Sequence, residues 1–234
     1  MSTKKNLKEE RVRTRARQRF IQKLTIGTVL VIIVAIGVFL AVNAKSEPLD
    51  PKLLYKNQPM LGKADAPVKI VEFGDFKCSH CKFFTDNEFP KIKKEFIDTG
   101  IASFYFINVH LSGLGVDSLT AASAAEAVYA QKPSAFWDYY KAIYNAQQSV
   151  EIQWATPDRL VQIARDNNID VDLERLRKDI TNEKYDDVVI EDTRLMSSFK
   201  VGGTPTIFIN GELTKATTYE QLKPLILKAK DAKK

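Results

Sequence analysis

The apolar positions of this chain change period several times, and each change marks an element. Leu24 to Val42 is a run of 19 residues without a charge, long enough as a helix to cross about 30 Å of hydrocarbon. Residues 43–66 are rich in Pro, Lys and Asp around one apolar cluster, Leu53-Leu54-Tyr55, and read as a linker and edge element. Val68 to Phe76 is short, β-branched and aromatic and contains Gly74-Asp75 near its end, the pattern of a buried strand. From about Ser79 the spacing turns helical, with Cys81, Phe84, Phe89, Ile92 and Phe96 facing inward. Pro90 predicts a kink there, because it has no N–H for the i−4 carbonyl. Ile101 to Val109 is almost continuously apolar, as a central strand is.

Strand, helix, strand in this order predicts a right-handed βαβ unit with a parallel pair. A helical insertion then occupies about residues 112–200. Its apolar stripes are Phe136, Tyr140, Ile143 and Tyr144; Leu173, Leu176 and Ile180; and Val188, Leu195 and Phe199. Thr156-Pro157-Asp158 is the start signal of a helix within it. Aromatic Phe136, Trp137, Tyr139 and Tyr140 read as helix packing. The strand pattern returns at Thr204 to Asn210, and Asn210-Gly211 predicts a hairpin into Glu212-Leu213-Thr214. A last helix is expected from Thr218, with Gln221 completing a capping box and Leu222, Leu225 and Ile226 inward. Pro224 fits that helix poorly and predicts a kink or a late start.

Charge changes the picture at the N-terminus. The chain has a formal charge of +6, yet residues 1–44 hold nine Lys and Arg against Glu9 and Glu10, leaving the remainder at −1. A nucleic-acid-binding surface on the main domain is therefore not expected. Residues 1–23 are instead a basic arm before residues 24–42, and by the positive-inside rule the arm stays cytoplasmic while the chain from Lys45 onward is exported. Val42-Asn43-Ala44 resembles a cleavage site, but the apolar run exceeds the ~7–15 residues of a signal peptide, so a retained anchor is the preferred reading.

The chemistry centres on Cys78-Ser79-His80-Cys81, which holds both cysteines of the chain. Two thiols two residues apart at the first turn of a helix close a disulfide without moving the backbone, and helix N–H groups there stabilise a thiolate. Cys78 is then the exposed nucleophile, Cys81 the shielded resolving thiol, and Ser79 and His80 supply further donors or positive charge. Thr204-Pro205 opens the later strand; a cis X-Pro bond there would set Thr204 backbone groups against the cysteines, to receive an extended substrate peptide. His80 and His110 are too few for a metal centre, so neither metal nor cofactor is expected beyond the redox pair. His110 reads as a polar strand end.

With VEFGDFKCSHC at 71–81, the helical insertion, and VGGTPTIFING at 201–211, the chain resembles the DsbA-like thiol:disulfide oxidoreductases of the thioredoxin superfamily, of the membrane-anchored BdbD type found in Gram-positive bacteria. The resemblance covers roughly residues 49–229. It implies an α/β thioredoxin fold at 67–231 with a helical insertion, preceded by an N-terminal transmembrane helix. It also implies attack by Cys78, resolution by Cys81, and Thr204-Pro205 as the cis-proline loop. Glu72 stands where the family often has a buried acid that handles the proton of the resolving thiol; the alternative is a solvent-facing strand position. Ser79 departs from the family, in which Pro is commoner there. The implied partners are exported proteins with free thiols and a quinone-linked membrane oxidase of the DsbB kind. The Ser79-His80 pair, lacking the Gly-Pro of reducing thioredoxins, favours disulfide donation over a reductase or isomerase role. A non-catalytic binding or chaperone module with a structural disulfide is the rival of another class.

Overall fold

The computed structural model describes residues 2–43 and 49–232, in two units that divide after Pro48. Part of the linker, including Ala44 of the alternative cleavage site, lies outside the described residues. The first unit contains one helix, α1 (Ser2–Asn43). Its stretch Ile21–Phe39 has a mean hydropathy of 2.2 and is long and apolar enough to span a membrane, starting three residues before the run read from the sequence. The hydroxyls within it are satisfied locally: Thr25 Oγ1 donates to the Ile21 carbonyl at 3.0 Å and Thr28 Oγ1 to the Thr25 carbonyl at 2.9 Å. In a hydrocarbon layer that would leave no free hydroxyl on this face.

The second unit is built on a five-stranded sheet of order β1-β3-β2-β4-β5. Its strands are β1 (Met60–Leu61), β2 (Val68–Gly74), β3 (Ala102–Asn108), β4 (Thr206–Ile209) and β5 (Glu212–Leu213). β2 and β3 run parallel, as the βαβ pattern requires, and the outer pairings are antiparallel. Both faces of the sheet are covered. Val68, Ile70, Phe104, Ile207 and Ile209 pack with Phe84, Ile92, Phe96, Leu222 and Ile226 on one side. Val71, Phe73, Tyr105, Ile107 and Phe208 pack with Leu54, Met196 and Val201 on the other. Gly74 ends β2 where a Cβ would lie 2.4 Å from Phe106 Cε2, so the strand stops against an aromatic ring. Asn210 and Gly211, at φ 51° and 86°, make the expected hairpin turn.

The helix after β2 alternates α and π turns: α2 (Ser79–Phe83), a π turn at Phe84–Glu88, α3 (Phe89–Ile92) and a second π turn at Lys93–Ile97. Pro90 is the second residue of α3, just after the first π turn, and in the first turn of a helix segment a missing N–H is tolerated. The insertion comprises α4 (Asp117–Gln131), α5 (Phe136–Ala146), α6 (Pro157–Asp166), α7 (Leu173–Thr181) and α8 (Asp186–Ser198). Thr156 caps α6 by accepting from Arg159 N–H, and the aromatics of α5 pack internally as read. Three expectations are corrected. Val188 is exposed, because α8 turns Val189, Asp192 and Met196 inward. Leu225 of α9 (Tyr219–Asp231) is exposed while Leu222 and Ile226 are buried, and Pro224 sits inside a helix that starts on time. The Thr218 side chain makes no capping bond; Gln221 Oε1 instead accepts from Thr217 N–H at 3.3 Å.

A buried ion pair attaches the insertion to the sheet. Lys77 Nζ lies 2.6 Å from Asp117 Oδ1, with the two side chains 1% and 7% exposed. Asp117 Oδ2 also accepts from the N–H groups of Trp154 and Ala155 at 2.9 and 3.2 Å. Removing the carboxylate strands a buried ammonium. Asp117→Ala is expected to cost about 3–5 kcal/mol in urea unfolding of the detergent-solubilised chain, and the apolar pair Lys77→Met with Asp117→Leu to recover most of it.

Candidate active site

The end of β2 delivers the first cysteine through a three-residue turn. Cys78 N–H donates to the Asp75 carbonyl at 3.0 Å and Lys77 N–H to Asp75 Oδ1 at 2.7 Å. Phe76 is fixed inside an aromatic cluster with Phe106, Tyr140 and Tyr144. Cys78 then occupies the cap position of α2, and its carbonyl accepts from Lys82 N–H at 3.1 Å. From the insertion, Gln147 Nε2 donates to the carbonyls of Phe76 at 2.7 Å and Cys78 at 3.2 Å. The Thr204–Pro205 peptide is cis, and the Thr204 carbonyl oxygen lies 3.3 Å from Cys78 Sγ. Both cysteines are free thiols.

The two sulfurs have opposite acidities. Cys78 is lowered from its ordinary value of 9.0 to about 5. The hydrogen bond from the Cys81 thiol is the largest cause and burial opposes it; Thr204 and the backbone N–H groups of Cys81 and His80 add to the lowering. Cys81 is raised well above 9.0, first by burial, then by its hydrogen bond to Cys78 and the charges of Glu72 and Cys78. Glu72 is wholly buried and raised to about 8, chiefly by burial, against the hydrogen bond it receives from Tyr140. Tyr140 OH donates to Glu72 Oε2 at 3.2 Å and pairs with Thr85 Oγ1 at 2.7 Å, while Glu72 Oε1 has no partner.

The structure thus brings Cys78, Cys81, Glu72 and Thr204 together, with Pro205 following Thr204 in the loop. Two sequence readings change. Cys78 is not an exposed nucleophile: it is only 8% exposed, covered by the turn and Thr204. His80 and Ser79 are exposed, and the group of His80 that stabilises the thiolate is its backbone N–H. Of the two positions left open for Glu72, the structure has the buried one. Sequence reasoning missed Asp75, Tyr140 and Gln147 as site residues. Asp75 stood inside the quoted motif; Tyr140 was hidden in an apolar stripe; Gln147 carried no signal.

The chain covers most of the length of two disulfide bond formation proteins that it matches. The family model described as Thioredoxin matches residues 55–228. Disulfide bond formation protein D of Bacillus subtilis is 39% identical over 174 residues, 74% of this chain and 77% of the relative. The probable disulfide bond formation protein D of Bacillus anthracis is 35% identical over 199 residues, 84% of this chain and 90% of that one. The chain belongs to the BdbD-type, DsbA-like thiol:disulfide oxidoreductases of the thioredoxin superfamily. The crystal structure of oxidised BdbD from Bacillus subtilis superposes with a TM-score of 0.71 at 38% identity, covering 75% of this chain and 94% of that one. DsbA of Chlamydia trachomatis does so with a TM-score of 0.69 at 26% identity. The chain is accordingly an enzyme of dithiol/disulfide exchange, and the non-catalytic module is set aside.

A titration of the dithiol form tests these acidities. The thiolate absorbance of the reduced chain is expected to rise with a midpoint near 5 and to vanish in Cys78→Ser. Cys78, lowered in the fold, adds stability as pH rises from about 5 to 9; Glu72, raised in the fold, removes it as pH rises from about 4.5 to 8. Relative to the wild type, reduced Glu72→Gln should gain a slope of about +1.4 kcal/mol per pH unit between those limits, and Cys78→Ser a slope of the opposite sign, in urea unfolding at stepped pH.

Proposed function

We propose that this protein is held in the cell membrane by residues 24–42, with the basic arm 1–23 in the cytoplasm and the domain 67–231 outside, where it donates the Cys78–Cys81 disulfide to exported proteins carrying free thiols. The observation that carries the reading is the opposite displacement of the two thiols, Cys78 down to about 5 and Cys81 well up. A thiolate stabilised only in the dithiol form makes the disulfide form the better oxidant. The basic arm beside an uncharged span supports the orientation.

A client thiolate attacks Cys78 Sγ. The S–S bond breaks, its electron pair passes to Cys81 Sγ, and that sulfur takes a proton from the Glu72 carboxyl, whose burial favours the protonated form. A second client thiolate then attacks the client sulfur of the mixed disulfide and releases Cys78 as the thiolate. The client is oxidised by two electrons and the enzyme is left as the dithiol. Thr204, flanking Cys78, would receive the client backbone as an added strand. The dithiol is reoxidised by a membrane oxidase of the quinone-linked, DsbB kind, which the anchor would keep within reach.

Cys81→Ala is expected to accumulate mixed disulfides between Cys78 and exported proteins, read as reducible adducts after thiol blocking. A potential as negative as that of a reducing thioredoxin, about −270 mV, would instead support the reductase. For the proton donor, the rate of client oxidation divided by the fraction of client present as thiolate should fall in the wild type as pH rises through the titration of Glu72. Glu72→Gln should be slower by on the order of 10²-fold at neutral pH and lack that decline, measured by stopped-flow on a model dithiol peptide.

A further inference from the structure

Asp75 is bonded more widely than a turn residue needs to be. Its carboxylate is buried; Oδ1 accepts from Lys77 N–H at 2.7 Å, and Oδ2 accepts from Leu111 N–H at 2.9 Å and from Ser118 Oγ at 2.7 Å. Its carbonyl accepts from Cys78 N–H at 3.0 Å and from Tyr144 OH at 3.3 Å. One residue therefore joins the turn before Cys78 to the segment after β3, to α4 and to α5. Ser118 Oγ also lies 3.1 Å from Nδ1 of half-buried His110. Since the serine proton is committed to Asp75, its oxygen accepts there and His110 carries its proton on Nδ1.

A neutral side chain would cap Lys77 N–H without the cost of burying a charge. The carboxylate is pushed upward chiefly by burial, while its three donors hold it down and the Cys78 thiolate opposes its ionisation. That opposition is mutual: a charge on Asp75 makes the thiolate harder to form. The other titratable groups around the turn are Glu72 on β2, Cys81 on α2, Tyr140 and Tyr144 on α5, His110 beyond Ser118, and Lys77, whose charge is matched by Asp117.

We propose that Asp75 is a positioning residue for the exchange reaction, holding the turn that presents Cys78 while setting beside it a negative charge, buffered through Ser118, that moderates the thiolate. The proposal deepens the disulfide-donor reading and rests on it for its biological meaning, since the moderated thiolate would limit how strongly the protein oxidises its clients. The thiolate itself titrates whether or not the protein donates disulfides, so the two ideas fail separately.

The test uses the full-length, detergent-solubilised, reduced chain, with the ultraviolet thiolate absorbance of Cys78 followed against pH and the disulfide equilibrated with glutathione. Asp75→Asn is expected to move the Cys78 midpoint to lower pH, raising the thiolate-to-thiol ratio at a given pH by about three- to tenfold. The equilibrium with glutathione should shift toward the dithiol by the same factor, where tenfold corresponds to about 30 mV. Ser118→Ala, which takes one donor from Asp75 and so weakens its charge, should shift both readouts in the same direction by less. A midpoint that stays in place, or moves to higher pH as it would if Asp75 were only scaffold, overturns the proposal. Should Asp75→Asn not fold, Ser118→Ala decides: a downward shift supports the proposal, and no shift or an upward one overturns it.

Discussion

Folding this site moves one proton. In an unfolded chain near neutral pH a glutamate is ionised and a cysteine is a thiol; in the folded dithiol the order is inverted, with Cys78 at about 5 and Glu72 at about 8. Between them Glu72 and Cys78 keep a single negative charge but carry it on sulfur. Glu72 loses the charge because it lies inside the sheet with one hydroxyl donor and one oxygen without a partner. Cys78 gains it because a neighbouring thiol and two backbone N–H groups point at it. Each charge repels the other, so the two titrations are coupled.

The surrounding fold maintains that inversion with neutral donors. Tyr140 and Tyr144 are buried and raised well above their ordinary range, so they remain hydroxyl donors at any physiological pH. Gln147 holds the carbonyls on either side of the turn without adding charge. The one ammonium buried beside Cys78 in sequence, Lys77, is spent on Asp117. The helical insertion thus contributes to the site directly: it supplies the hydroxyls, the amide and the matching carboxylate that let a thiolate sit in an otherwise acidic pocket.

What the amino-acid order revealed follows from what has a local signature. β2, β3, the hairpin at Asn210-Gly211 and the α6 cap are written in short-range periodicity and turn chemistry, and the structure places them within a residue or two of expectation. The cysteine spacing is local as well. Glu72 had no such signature: alternation along β2 leaves either face open until α5 is known to cover one of them. Asp75, Tyr140 and Gln147 act through partners 36 to 71 positions away, a distance at which polar contacts leave no periodic trace. His80 misled for the opposite reason. Its proximity in sequence suggested a role for the imidazole, whereas at the start of a helix the side chain points to solvent and only the N–H turns toward the sulfur.

The same inversion gives the exchange a direction. In the proposed exchange the client attacks the disulfide at Cys78 and the departing sulfur is Cys81, a poor leaving group as an anion because it is buried and its acidity is suppressed. Glu72, whose carboxyl burial favours in the protonated form, is coupled to it and is the proposed source of the proton. When the client's second thiol completes the exchange, the departing sulfur is Cys78, which leaves readily as a thiolate and needs no acid. Running the reaction backward reverses both advantages: a thiolate stabilised this far is a weaker nucleophile, and Cys81 would have to lose a proton in a buried, negatively charged setting before it could resolve the adduct. Donation is therefore helped at each displacement by the features that hinder reduction.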